Sequence, residues 1–381
     1  MKKALMLSSV SSMIASFNKN NISILQSLGY EVHVITNFNY LNNISQEKAN
    51  DIMAEFENNL MVRVHNVSIS RSPFSLSNFK AYKQISRIMQ KENFNLVHCH
   101  SPVGGILGRM AANQNKVENI IYTAHGFHFF KGASIKNWLT FYPIEKFFSY
   151  FTDDLITINS EDFQLAKKSF HAKRLHYVNG VGIDLKKFDA DKKKVNSNKK
   201  QTKLKLISIG ELNKNKNHRL VIEAIHQSKF KDCFSYDICG EGTLKEELTQ
   251  LIKQYGLENQ VRLLGYRDDV HRLLAESDIF VFPSFREGLP VSVMEAMATG
   301  LPVLASDIRG NHDLVVHEKG GFLFESGNVE DLVHYLEECF MHQENMIAFR
   351  DYNLQKIQEY SSDYVDSQMR EIYSFNSKNL K

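Results

Sequence analysis

The 381-residue sequence has no long hydrophobic run, little net charge and few cysteines. No stretch approaches the roughly 18 apolar residues that a membrane-spanning helix needs. The N-terminal MKKALMLSSV starts as a signal peptide would, but its apolar part is too short, and it reads as a first buried strand. The expectation is a chain that touches a membrane at most and does not cross one. Lysine and arginine total 46 against 43 acidic residues, a net charge of +3. So small an excess makes no case for a nucleic-acid partner. Cys99, Cys233, Cys239 and Cys339 have no framework spacing and lie in apolar patterns. They read as reduced core residues of a cytosolic protein.

What is present is the composition of a soluble globular protein, 43% hydrophobic and 23% charged. The length predicts two domains. Short β-rich runs alternate with helical patterns throughout. The first half predicts strands at residues 4–8, 31–36, 60–67, 96–100, 119–123 and 154–158, with a helix over 14–28. Most are continuous apolar runs, as in strands buried on both faces. The lysine-rich stretch 189–203 has no apolar period and no interleaved aromatic ring, and reads as a solvated linker. The alternation then resumes, with strands at 204–209, 235–239, 261–264, 278–282, 301–305 and 321–324 and helical patterns over 344–375. This is a pair of doubly wound α/β domains with a cleft between them, a preferred place for a ligand.

SFREGLPVSVMEAMATGLPVLAS, residues 284–306, is the most informative stretch. A strand ends at Pro283, Pro290 suits the first helical position, and Gly300 suits the left-handed residue that closes the helix. The loop 284–289 therefore lies at the carboxyl end of a parallel strand, where open α/β sheets bind ligands. Free N–H groups of the first helical turn favour an anion, and Gly288 lets it approach the backbone. Glu287 and Glu295 can flank the same point, because helical side chains lean towards the N-terminus. A carboxylate accepts two hydroxyl donors at once. An anion between two such acceptors describes a nucleotide-sugar.

The block EGLPVSVMEAMATGLPVLAS resembles the donor-binding block of retaining family 4 glycosyltransferases with the GT-B fold. Further similar segments precede it in chain order: GILGRMAA (105–112), TAHGFHFF (123–130), NGVGIDLKKF (179–188), SIGELNKNKNH (208–218), GEGTLKEEL (240–248) and LLGYRDDVHRLLAESDIFVFPS (263–284). The resemblance implies a GT-B α/β fold of two Rossmann-like, doubly wound domains facing a cleft. It divides the chain into an acceptor-side domain 1–188, a linker 189–203, a nucleotide-sugar domain 204–360 and a C-terminal helix 361–381 that could pack back on the first domain.

By the same resemblance Glu295 binds the ribose hydroxyls and Glu287 the hexose hydroxyls. The amides around Gly288, Leu289 and Val291 hold the diphosphate, Lys216 neutralises the leaving group, and Arg267 contacts the base. Relatives often carry a second basic residue after the loop glycine. Here Glu211 stands there, and Lys214 is the neighbouring substitute. His125 lies near the reacting sugar, where it can donate a hydrogen bond, and His100 at the preceding strand end could reach the acceptor. GEGTLKEEL lacks the third glycine of a dinucleotide fingerprint, which argues against a nicotinamide enzyme. The family works without a divalent metal, and the spacing around His98, His100, His125 and His128 matches no zinc pattern. No cofactor is expected. The acid pairs Asp153-Asp154 and Asp268-Asp269 read as capping residues rather than nucleophiles. The expected mechanism is same-face attack assisted by the departing phosphate, with domain closure excluding water.

Residues 125–151 combine aromatic rings with lysines. Phe127, Phe129, Phe130, Lys131 and Trp138 are expected at a membrane interface, on the acceptor side. HGFHFFKGA…NW…YPIEK resembles bacterial exopolysaccharide and capsule enzymes, which often use UDP-sugars. The implied partners are a nucleotide-sugar, a polyprenyl-diphosphate-linked saccharide and the cytoplasmic face of the membrane. The sequence leaves two alternatives open: a nucleotide-sugar epimerase of related fold, or a non-catalytic carbohydrate-binding protein.

Overall fold

A computed structural model describes residues 1–38, 46–189 and 201–378. The chain forms two compact units, Met1–Gly182 with Asp363–Lys381, and Ile183–Ser362. The boundary falls at Gly182, before the Lys186–Asp189 helix. Most of the lysine-rich stretch expected as a linker, 190–200, lies outside the described residues.

The first unit carries seven strands: β1 (Lys2–Leu7), β2 (Tyr30–Thr36), β3 (Arg63–Asn66), β4 (Leu96–His100), β5 (Asn119–Ala124), β6 (Asp154–Thr157) and β7 (Arg174–Tyr177). All pair in parallel, in the order β3-β2-β1-β4-β5-β6-β7. The period of two is visible in the core. Ala4 and Met6 join one buried cluster, Leu5 and Leu7 the other, so the sheet is covered on both faces. Asp154 opens β6 beside Arg174 of β7, and its carboxylate is an ion-pair partner, not a cap: both oxygens take hydrogen bonds from Arg174 at 2.6 Å. Sequence reading missed β7, because RLHY has no apolar run and, at the sheet edge, pairs on one side only.

The helix expected over 14–28 is two helices, Ser11–Phe17 and Lys19–Ser27. Asn18 separates them and its Nδ2 donates to the Met13 carbonyl at 3.0 Å, a local bond that competes with helix continuation. The helix Ser362–Lys378 places Val365, Met369, Ile372 and Tyr373 in the Met6 cluster of this unit. Their spacing of four, three and one makes a single helical stripe. Each such fully buried apolar side chain is worth about 1.5–3 kcal/mol.

A buried polar knot underlies GILGRMAA and YPIEK. Arg109 Nη2 donates to Glu145 Oε2 at 2.7 Å, Tyr122 Oη donates to Glu145 Oε1 at 3.0 Å, and the guanidinium lies 3.9 Å from the Tyr122 ring centroid. Gly105 and Gly108 let the Pro102–Gln114 helix press onto the sheet. A Cβ at either would sit 2.4 Å from the Tyr122 ring or Cys99 Sγ respectively.

The second unit holds β8 (Leu204–Ile209), β9 (Phe234–Cys239), β10 (Val261–Gly265), β11 (Ile279–Phe282), β12 (Val303–Ser306) and β13 (Gly321–Phe324). Their order is β10-β9-β8-β11-β12-β13, again all parallel. Leu204, Leu206, Tyr236, Ile238, Ile279 and Val281 anchor its core. Strand order reverses between β8 and β11, so the loops leaving their carboxyl ends diverge and open a crevice.

Candidate active site

β8 and β11 lie side by side, with Ile207 opposite Phe280. The loops that follow them are stitched together at the reversal point. Phe285 N donates to the Asn215 carbonyl at 2.8 Å, and Asn215 Nδ2 donates to the Arg286 carbonyl at 3.0 Å. Lys216 Nζ donates to Glu287 Oε1 at 2.7 Å and sits 4.7 Å from the Phe282 ring centroid. A third segment braces the loop from the β12 side. Arg309 Nε donates to the Glu287 carbonyl at 3.1 Å, and a Cβ on Gly310, whose φ is +82°, would lie 2.3 Å from the Gly288 carbonyl oxygen. The loop carrying Glu287 and Gly288 is therefore fixed from two neighbouring strands before any ligand arrives.

That loop runs into the helix Val291–Thr299. Pro290 is its N-cap, with extended backbone at φ −78° and ψ 119°, rather than the first helical residue. Among the described residues no side chain caps this end and no acid occupies the first turn, so its amides keep their donors for a ligand. Gly300, at φ 82°, closes the helix in the left-handed conformation. Glu295 is half-buried on this helix. Burial pushes its carboxyl up to about 7, opposed by the charge of Lys187 on the Lys186–Asp189 helix. Lys216 has three donor hydrogens, so one bond to Glu287 leaves two for anionic oxygens.

In the first unit the ends of β4 and β5 carry a run of histidines. His98 Nδ1 meets Tyr373 Oη at 2.7 Å, and its Nε2 meets Thr123 Oγ1 at 2.8 Å. His100 Nδ1 lies 3.1 Å from His125 Nε2, and its Nε2 lies 3.1 Å from Met6 Sδ. The His98 and His100 rings are 4.1 Å apart. Burial holds the His98 imidazole down to about 3 and that of His125 down to about 4, and pushes His100 well below its ordinary value. All three are neutral near pH 7. His100, Thr123 and His125 line a small recess with Asn18, Gly180 and Met369.

Residues 3–159 match the family described as glycosyl transferase 4-like, and residues 189–355 match glycosyl transferases group 1. A putative glycosyltransferase, EpsD of Bacillus subtilis (strain 168), is 33% identical over 355 residues, 89% of either chain. The chain belongs to the group 1 glycosyltransferases. The UDP-Gal:alpha-D-GlcNAc-diphosphoundecaprenol alpha-1,3-galactosyltransferase of Escherichia coli is 32% identical over 282 residues, 71% of this chain and 72% of that one. The structure of Anabaena Alr3699/HepE in complex with UDP and glucose shares the fold, with a TM-score of 0.75 over 98% of this chain and 100% of the other, at 18% identity. The fold of this glycosyltransferase is GT-B, and its similar proteins include enzymes of polysaccharide synthesis.

Within the glycosyltransferase, Glu287, Gly288, Leu289, Val291 and Lys216 come together at the β8–β11 reversal, with Glu295 farther along the same helix. Arg267 follows β10, and its guanidinium is held by both Asp269 oxygens at 2.7 and 2.6 Å. That pairing is the role of Asp269, which makes no capping bond. Lys214 and Glu211 are exposed. On the acceptor side the aromatic expectation needs correction. Phe127 and Phe129 are core residues, 3% and 0% exposed, and cannot present themselves to a membrane. Their rings stack at 4.9 Å, and Phe129 also packs on Trp138 at 5.6 Å and Tyr142 at 5.5 Å. Trp138 is half-buried, its Nε1 donating to the half-buried Phe130 carbonyl at 3.3 Å. Lys131 is exposed. The most exposed apolar residues of this region are Ile135 and Leu139, at 77% and 75%, with Tyr150 and Phe147 at 62% and 57% farther along the chain. Sequence reasoning missed Lys187, Asn215 and Arg309. Lys187 and Asn215 lay within the recognised NGVGIDLKKF and SIGELNKNKNH segments, whereas Arg309 acts through a backbone carbonyl and carries no motif.

Proposed function

We propose that this glycosyltransferase moves a hexose or N-acetylhexosamine from a UDP-sugar to a polyprenyl-diphosphate-linked saccharide, with retention of anomeric configuration. The observation that carries the reading is the uncapped N-terminus of the Val291–Thr299 helix, beside the Lys216–Glu287 pair and the half-buried carboxyl of Glu295. The diphosphate sits on the helix amides, with Lys216 against its oxygens. Glu295 accepts from the ribose hydroxyls and Glu287 from the transferred sugar. As the bond from the anomeric carbon to phosphate oxygen breaks, negative charge grows on the diphosphate, where Lys216 and the helix dipole stabilise it. The acceptor hydroxyl attacks from the same face and gives its proton to the departing phosphate. Protein cations and amides supply the positive charge, so the scheme needs no divalent metal.

The lipid-linked acceptor is supported by the Escherichia coli relative, whose name specifies a diphosphoundecaprenol substrate. No described helix is long and apolar enough to cross a membrane. Contact with the membrane surface would fall to Ile135 and Leu139, one turn apart on the Ile135–Ser149 helix and flanked by Lys131 and Lys136. Incubation with a panel of UDP-sugars and lipid-linked acceptors tests the assignment. Free UDP with a lengthened lipid is the expected result. Isomerised donor without an acceptor would overturn it in favour of an epimerase, and binding without turnover in favour of a carbohydrate-binding protein.

A further inference from the structure

The bond pattern around His125 determines which of its nitrogens carries the proton. Met6 belongs to β1 and His100 to β4, and both are fully buried, at 0% and 1% exposure. A thioether sulfur has no hydrogen and can only accept. His100 Nε2, 3.1 Å from Met6 Sδ, is therefore the donor of that contact. A neutral imidazole has one N–H, so His100 Nδ1 is a bare acceptor. It faces His125 Nε2 at 3.1 Å, and a contact between two bare nitrogens would be repulsive. The proton between them must belong to His125 Nε2. The chain runs one way, from His125 N–H to His100, and from His100 N–H to sulfur.

We infer that Met6 and His100 are positioning residues that hold the His125 proton on Nε2, so that His125 offers its Nδ1 lone pair to a saccharide hydroxyl that reaches the mouth of this recess. Among the described residues Nδ1 has no hydrogen-bond partner, and His125 lines the recess together with Thr123 and His100. A ring fixed this way is a hydrogen-bond acceptor for a neutral hydroxyl. It is not a cation for phosphate, nor the donor that the sequence reading expected. The low basicity of all three rings keeps the relay neutral. The saccharide part of the inference rests on the glycosyl-transfer reading, whereas the proton position does not.

Long-range proton–nitrogen correlation spectra of the full chain, labelled with nitrogen-15 histidine and without substrate, read the tautomers directly. His100→Gln and His125→Gln provide the assignments. The expected result near pH 7 is a neutral Nε2–H form for both rings. An Nδ1–H form or an imidazolium at His125 would overturn the inference, whatever the enzyme transfers. Met6→Leu keeps the volume and removes the sulfur acceptor at His100 Nε2. It should mix the tautomers of both rings and lower kcat/KM about 2- to 10-fold, the worth of one neutral hydrogen bond. Unchanged tautomers would refute the role of Met6. Mixed tautomers with unchanged kcat/KM would refute the acceptor role of His125 while leaving glycosyl transfer intact.

Discussion

Lowering the pH from about 8 to about 6 should weaken UDP-sugar binding about tenfold, through Glu295 alone. Its carboxyl is pushed up to about 7 by burial in the free protein. Ribose hydroxyls that donate to it favour the carboxylate and return the group towards its ordinary value of 4.5. Binding then requires the ionised form. At about pH 6 the free protein is about 90% protonated here, and at about pH 8 about 10%, so the dissociation constant rises about tenfold, or ~1.4 kcal/mol. Isothermal titration in two buffers of different ionisation enthalpy should also detect about 0.9 proton released at the lower pH and about 0.1 at the higher. UDP-glucose and UDP-N-acetylglucosamine are suitable probes, because their phosphates do not titrate in this range, unlike the terminal phosphate of UDP. In Glu295→Gln both the pH dependence and the proton release should vanish, with weaker binding throughout. A dissociation constant that is flat with pH, or a pH dependence that survives Glu295→Gln, would refute the reasoning. Stability has its own sign. The folded protein favours the neutral acid, so this contribution is present below 4.5 and is lost as pH rises towards 7. The loss is at most about 3 kcal/mol, less the share screened by solvent at the half-exposed carboxyl. Glu295→Gln should therefore raise the Tm of the free protein above neutral pH.

Lys216→Ala should lower kcat about 100-fold in a UDP-release assay, since it removes the charge at the leaving group, and should cost only about 1 kcal/mol of stability. Arg109→Met strands Glu145 beneath the Pro102–Gln114 helix and should cost about 3–5 kcal/mol in denaturant unfolding. Gly310→Ala drives a methyl into the Gly288 carbonyl at a backbone angle that disfavours it. It should raise KM for the donor more than it lowers kcat, as steady-state kinetics would show. Ile135→Ser with Leu139→Ser should reduce sedimentation with anionic lipid vesicles, whereas Trp138→Phe, which changes a half-buried ring, should not.

Much of the fold could be read from local sequence, because its strands are buried on both faces and show up as apolar runs. The runs at β1, β4, β8 and β11 are of this kind, and GLP at residues 288–290 with Gly300 bounded the Val291–Thr299 helix to within one residue. Two failures have physical causes. β7 is an edge strand with polar residues, and the first helical pattern is broken by Asn18, whose side chain donates to the Met13 carbonyl. The aromatic loop misled for a third reason. Phe127 and Phe129 sit among exposed lysines and a glycine in sequence, yet tertiary packing folds their rings onto Phe170 and Tyr142.

The sequence by itself determined the repeated α/β pattern, the helix whose start faces a ligand, and the residue types that suit a nucleotide-sugar. Each follows from spacing within a short window. Only the tertiary structure decided which of those residues act together. Lys216 and Glu287 are 71 positions apart and meet because β8 and β11 are neighbours where strand order reverses. Glu295 becomes a weak acid because surrounding elements remove its water, and the tautomer of His125 depends on a sulfur atom 119 residues away in β1. Strand order, burial and proton position are properties of the assembled sheets, and no local window contains them.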